Sequence, residues 1–168
     1  MNARALAGAG LLLAAGCQTA AQPPAPAAPR DVRIAQLNLT FRVPASLADL
    51  TYRMSQTAEG KPAADFSTGA LSRVGGPSCA AGARNSVSSY PIGRIIVSPE
   101  TPAEIANEAK DNPEDVLGDY LKRLGTQYLY WAAPPPESCN PGSAPATELQ
   151  QKAIPALRAA LRSASVAG

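Results

Sequence analysis

The chain has 168 residues, of which 17% are charged, with a formal net charge of +2 and no histidine. A charge this close to neutral implies neither a nucleic-acid binder nor a strongly acidic surface. Without histidine the commonest general base and metal ligand is missing, so Ser-His-Asp and Cys-His arrangements are excluded outright.

Arg4 is the only charge in the opening segment, and every residue from Ala5 to Gly16 is Ala, Gly or Leu. A basic start followed by a short apolar run is the pattern of an export signal. At about 12 residues the run falls short of the roughly 20 that a bilayer-spanning helix needs. At its end, Leu13-Ala14-Ala15-Gly16-Cys17 resembles the bacterial lipobox, with Ala14 where that pattern prefers Leu. The resemblance implies that 1–16 is a lipoprotein signal peptide and that Cys17 becomes the mature N-terminus as a diacylglycerol cysteine, with palmitate-type acyl chains. The alternative is an ordinary secretory signal cut after Ala21, which would discard Cys17. Two or three acyl chains, at about 0.8 kcal/mol per buried CH₂, hold a protein durably on a membrane.

The following segment, Gln18 to Arg30, carries Pro at 23, 24, 26 and 29 and no bulky apolar residue. It cannot bury a core and reads as an extended spacer, about 13 residues reaching at most roughly 40 Å. The expected organisation is therefore signal peptide 1–16, lipidated Cys17 and Pro/Ala-rich tether 17–30, and one α+β domain over 31–168, long enough to bury a respectable core.

In chain order, Leu37, Leu39, Phe41 and Val43 alternate with Asn38, Thr40 and Arg42, the period of a half-buried strand. Val32 and Ile34 sit in the opposite phase, which predicts a bulge or bend near Ala35-Gln36. Pro44 ends this strand, and Ser46 to Leu50 fits a short turn. A second strand is predicted over Leu50 to Gln56, with Tyr52 and Met54 on one face, and EGKP at 59–62 turns into a third over Ala63 to Thr68. A fourth, rich in β-branched residues, is predicted over Arg94 to Ser98.

Thr101-Pro102-Ala103-Glu104 is a capping box with proline at the first helical position, and Asn112-Pro113-Glu114-Asp115 is a second start of the same design. From the latter, Val116, Leu117, Tyr120, Leu121 and Leu124 form a helical stripe closed by Gly125. A strand then runs from Thr126 to Ala133, with Leu129 and Trp131 on one face and Tyr128 and Tyr130 on the other. Pro134 to Pro136 stop it. A terminal helix opens at Thr147, with Gln150 three residues on and a kink or restart at Pro155.

Cys79 and Cys139 lie in loop-like surroundings, GGPSCAAG and PPESCNPG, and in an exported chain such a pair forms one disulfide. There is no CxxC spacing, and two thiolates underfill a tetrahedral metal site, so no metal and no cofactor are expected. The whole reads as an α+β fold: an antiparallel sheet of four to six strands packed by two or three helices. The run LNLTFRVPASLADLTYRM at 37–54, with the late strand and terminal helix, resembles the Mog1/PsbP-type sandwich of several small bacterial lipoproteins. VPASLADLTY with the later FST and a loop cysteine also resembles uncharacterised exported bacterial domains. Neither resemblance implies an activity.

No GxSxG elbow, SxxK dyad, Walker loop or GxGxxG is present. The acids cluster at predicted helix starts, where they have a capping role, so no catalytic residues are assigned and no enzyme is expected. The expected function is a membrane-anchored, non-enzymatic binding or accessory domain in the bacterial cell envelope, facing the periplasm or cell exterior. Its partners are the membrane, through N-terminal acyl chains, and an unidentified envelope protein or ligand, with no nucleic acid. The candidate binding surface is Arg73, Arg84 and Arg94, or Tyr128 and Tyr130; the plainer use of the aromatic side chains, with Trp131 and Tyr120, is as sheet–helix core. A small-ligand carrier, with an apolar cavity between sheet and helices, is the first alternative. A carboxylate-based envelope enzyme, with a close pair of buried acids, is the second.

Overall fold

The computed structural model describes residues 28–83, 89–111 and 117–168. Cys17, the expected signal peptide, most of the expected tether, Arg84 and the predicted helix start at 112–116 lie outside them. The fold is α+β, with a three-stranded and a five-stranded antiparallel sheet, three α-helices and one disulfide.

The chain enters through β1 (Arg30–Ile34), turns in a 3-10 segment at Ala35–Leu37 and returns as β2 (Leu39–Val43). The phase change read between Ile34 and Leu39 is this turn, closed by Asn38 in the left-handed region at φ 49°. The strand thus begins at Leu39 rather than Leu37. Val32, Ile34, Leu39, Phe41 and Val43 point into the core, and Asp31, Arg33 and Arg42 point out.

A short 3-10 turn at Ala45–Leu47 leads to β3 (Leu50–Gln56), which pairs with β4 (Pro62–Thr68) in full register from Leu50↔Thr68 to Gln56↔Pro62. The chain then forms α1 (Gly69–Gly75), an element absent from the sequence expectations. Its start is fixed twice: the Thr68 hydroxyl accepts from Leu71 N–H at 3.0 Å, and the Asp49 carboxylate accepts from Ala70 N–H at 2.5 Å. β5 (Gly93–Ser98) pairs with β4 on one side and with β7 (Gln127–Ala132) on the other. α2 (Pro102–Asp111) carries the predicted capping box, with Thr101 N–H donating to the Glu104 carboxylate at 2.7 Å and Glu104 N–H to the Thr101 hydroxyl at 3.3 Å.

The helix expected to end at Gly125 is corrected. Asp119–Leu124 is strand β6, the outer edge of the five-stranded sheet in the order β3-β4-β5-β7-β6. Leu117, Leu121 and Leu124 do carry a helical spacing, but pairing with β7 satisfies the same backbone groups, and the partner strand decides between the two. Gly118, at φ +101°, brings the chain so close to Trp131 that a Cβ there would lie 2.2 Å from the Trp131 carbonyl oxygen. Gly125, at φ 62°, turns the β6–β7 hairpin rather than closing a helix.

α3 (Ala144–Leu161) begins three residues before the predicted Thr147, capped by the Ser143 hydroxyl, which accepts from Ala146 N–H at 3.3 Å. It runs unbroken through Pro155. After it, β8 (Ser165–Val166) pairs with β2 and completes the three-stranded sheet in the order β1-β2-β8.

Alternation sorts the five-stranded sheet into two faces. Phe66, Ile95, Val97, Leu129 and Trp131 join β1, β2, α1 and α3 in the main core. Ala63, Ile96 and Tyr130 point the other way, into a smaller cluster with Ile105 of α2 and Leu117. The result is three layers, with α2 on one side of the sheet and the three-stranded sheet, α1 and α3 on the other.

Candidate functional site

The α2 side of the five-stranded sheet gathers aromatic rings at its β6 edge. Tyr130 and Tyr128 lie two apart on β7 and share that face, as their alternation predicts. Tyr120 of β6 stands opposite Tyr130, with its ring 6.1 Å from that of Tyr130 and 6.2 Å from that of Tyr128. The rings differ in exposure. Tyr130 is buried, whereas Tyr120 is 46% exposed and Tyr128 half-buried. The Arg123 guanidinium lies 5.9 Å from the Tyr128 ring centroid and donates to the Gly125 carbonyl, which holds the cation at the rim.

Tyr130 anchors this patch. Its hydroxyl donates to the Glu100 carbonyl at 2.6 Å, tying the sheet to the start of α2. Burial, and then the nearby Glu100 carboxylate, push the Tyr130 phenol up to about 12. The Glu100 carboxylate itself accepts from the Lys61 ammonium and, at 2.8 Å, from the buried Ser98 hydroxyl. The hydrogen bond from Lys61 holds Glu100 below the usual carboxylate range. Through Oε2, which accepts both hydrogen bonds, this carboxylate fastens the start of α2 to the sheet.

The predicted arginines do not form one surface. Arg94, on β5, donates from Nε to Asp65 Oδ1 at 2.5 Å and from Nη2 to Asp65 Oδ2 at 3.3 Å, and it lies 4.3 Å from the Tyr90 ring centroid. It belongs to the folded sheet. Arg73 is exposed in the last turn of α1, 3.8 Å from the Asp49 carboxylate, on the layer opposite the face that carries Arg94. Arg84 lies outside the described residues.

Cys79 and Cys139 are bonded, and both are buried. The bridge ties the 3-10 turn at Pro77–Cys79 to the loop before α3, where Cys139 N–H donates to the Gln150 carboxamide at 3.0 Å. Among the described residues no group of three or more His, Cys, Asp or Glu side chains is placed to hold a metal. Asp65 is the buried carboxylate, and Arg94 neutralises it. A cavity of about 470 Å³ opens beside Arg53 and the 77–83 loop, and one of about 170 Å³ lies between Pro134, Pro135, Pro136 and α3. A third, of about 190 Å³, lies where the turn at Ala45–Leu47 and the start of α1 meet α3, with Leu47, Ala70, Leu149 and Ala153 in its lining.

Sequence reasoning paired Tyr128 with Tyr130 but placed Tyr120 on a helix and overlooked Arg123. Alternation alone would set Arg123 on the face opposite Tyr120; the register shift between Tyr120 and Lys122 brings both to the face of Tyr128 and Tyr130, and no local pattern announces it. Compared with known proteins, the chain matches no protein family, no curated protein and no solved structure. No helix among the described residues is long and apolar enough to cross a membrane.

Proposed function

We propose that this chain is a lipid-anchored protein of the bacterial envelope, held by acyl chains on Cys17 beyond the cytoplasmic membrane, whose domain binds an envelope protein without catalysing a reaction. The binding surface is the aromatic edge formed by Tyr120, Tyr128 and Arg123. The observation that carries the reading is the exposure of Tyr120, 46%, beside rings that are themselves fastened to the sheet. Tyrosine and arginine dominate protein interfaces because they give large contact area with few rotatable bonds. Here the backbone beneath them is a paired strand, so little order remains to be imposed on binding.

The anchor is tested by intact mass spectrometry of protein extracted from its native membrane. An N-terminus at Cys17 carrying acyl mass supports the reading, and an unacylated chain starting near Gln22 refutes the anchor. The surface is tested by site-specific photo-crosslinking from position 120, with position 74 on α1 as the comparison. A discrete adduct from position 120, lost on Tyr128→Ala together with Arg123→Ala, is expected. Equal labelling from both positions would remove the aromatic edge as the binding surface.

A further inference from the structure

The outer face of the three-stranded sheet carries two arginines, Arg33 and Arg42, against one acid, Asp31. Arg33 projects outward from β1 opposite Thr40, and Arg42 projects outward from β2 opposite Asp31, so the two arginines are diagonal neighbours on one face. Arg162 lies beside this edge at the end of α3: the next residue, Ser163, accepts the Arg42 backbone N–H at 2.9 Å, and the Arg162 carbonyl accepts from Lys122 at 3.3 Å. All three are exposed, and among the described residues none of their side chains has an ion-pair or hydrogen-bond partner. Among the described strand residues, Asp31 is the one acid on that sheet face.

The opposite side of the molecule has the reverse charge. α2 covers the far face of the five-stranded sheet and carries Glu104 and Glu108 against Lys110. A chain with a formal charge of only +2 is thus polarised across its layers, basic on the three-stranded sheet and acidic on α2.

The strand that bears Arg33 is also the strand the tether enters. β1 starts at Arg30 and is the edge of its sheet, and Cys17 lies about 13 residues before it, so the reach of the tether is at most roughly 40 Å. We propose that the Arg33–Arg42–Arg162 face docks on the anionic phospholipid headgroups of the membrane that holds the anchor. The occupant follows from charge and from reach: the phosphate-rich surface is the polyanion that the tether keeps beside this sheet. Docking in this way turns α2 and the aromatic edge away from the bilayer, toward a partner. The inference rests on the proposed anchor for its geometry.

The experiment reconstitutes the full acylated chain into vesicles of phosphatidylcholine, with and without phosphatidylglycerol, containing headgroup-spin-labelled lipid, and reads backbone resonance broadening. With phosphatidylglycerol, broadening is expected to concentrate on residues 31–42 and 162–165 and to spare α2. It should fade as salt is raised, because the Debye length drops to about 3 Å at 1 M. Each cation near an anionic surface is worth about a fivefold attraction. Arg33→Glu with Arg42→Glu should therefore reduce the phosphatidylglycerol-dependent broadening by at least about tenfold, and the milder Arg33→Gln by less. Lys110→Glu, the same charge change on α2, should leave it unaltered.

Broadening that is uniform, centred on α2, or indifferent to the arginine reversals would overturn the docking, leaving an acidic protein as the candidate for this face. Flotation with pure phosphatidylcholine vesicles at high salt reads the anchor separately. Loss of flotation with docking retained would refute the anchor alone, and flotation without docking would refute the basic face alone.

Discussion

Asp65 and Arg94 stand directly opposite each other in the β4–β5 register and are joined by two hydrogen bonds across neighbouring strands. The carboxylate is 1% exposed, and the guanidinium gives it a charged partner inside the fold. Ser89 and the Tyr90 ring hold the other side of that guanidinium. Asp65→Ala leaves Arg94 with an uncompensated charge and should cost about 3–5 kcal/mol, read by urea unfolding. Replacing both residues by leucine should recover most of that loss. A single-mutant cost below ~1 kcal/mol would mean that water reaches the pair and that it is not an internal ion pair.

The phenol of Tyr130 has a different dependence on pH. Its folded pKa, about 12, is above the ordinary value of 10.0, so the folded state keeps a proton that the unfolded state releases. Stability from this group is complete below about pH 10 and is lost as the pH rises toward 12, at about 1.4 kcal/mol per pH unit within that window. Tyr130→Phe should flatten the alkaline limb of the stability curve. It should also lower stability at neutral pH by roughly 1 kcal/mol, for the lost hydrogen bond to the Glu100 carbonyl. An unchanged alkaline limb would assign that loss of stability to other groups.

Glu100 gives the acid side. Its pKa is lowered, first by the hydrogen bond from Lys61, so its contribution is present above the ordinary value of 4.5 and falls away as the pH drops through the lowered value. Lys61→Met should shrink the loss of stability on acidification. If the acid limb of Lys61→Met matches that of the parent, the Lys61–Glu100 pair does not hold α2.

The elements that alternation announced lie where it placed them, within one or two residues: β3, β4, β5 and β7 each pack at least one face, and a packed face leaves its period in the sequence. β6 was hidden because Leu117, Leu121 and Leu124 are also spaced for a helix, and only β7, supplied by the fold, breaks the tie. α1 has seven residues, begins and ends in glycine, and owes its first turn to Asp49, twenty residues upstream, so no local pattern announces it. α3 starts with Ala144 and Pro145, which show no stripe. The candidate site followed the same logic. Tyr128 and Tyr130 were legible as one face, whereas the commitment of Arg94 depends on Asp65, 29 residues away in sequence.

The disulfide closes a span of 60 residues between the turn after α1 and the loop before α3. Constraining the unfolded chain over that length is worth about 4 kcal/mol in the loop-entropy model. Cys79→Ala with Cys139→Ala should lower stability by about that amount. Burial of both sulfurs should make the native bond slow to react with a small thiol reductant, and mild urea should accelerate the reaction. Fast reduction in native buffer would place the bridge at the surface.

Trp131 is the chain's only tryptophan, and two glycines let the main chain close around it. Gly118 abuts its carbonyl. Gly93, at φ +129°, lies under its ring so closely that a Cβ would meet Cη2 at 1.8 Å. The ring cannot retreat, because it is 1% exposed in the main core with Ile95 and Leu129 around it. Gly93→Ala therefore combines a strained left-handed backbone with overpacking, and it should cost roughly 3 kcal/mol or more. Since one indole gives all the tryptophan emission, a red shift should accompany that loss as the ring is displaced toward solvent. Gly60→Ala is the control, because its backbone is also left-handed, at φ +80°, but nothing lies within 4 Å of the added carbon. It should cost about 1 kcal/mol and leave the emission unmoved. Equal losses in the two variants would mean that backbone strain alone is acting and that the contact with Trp131 is not tight.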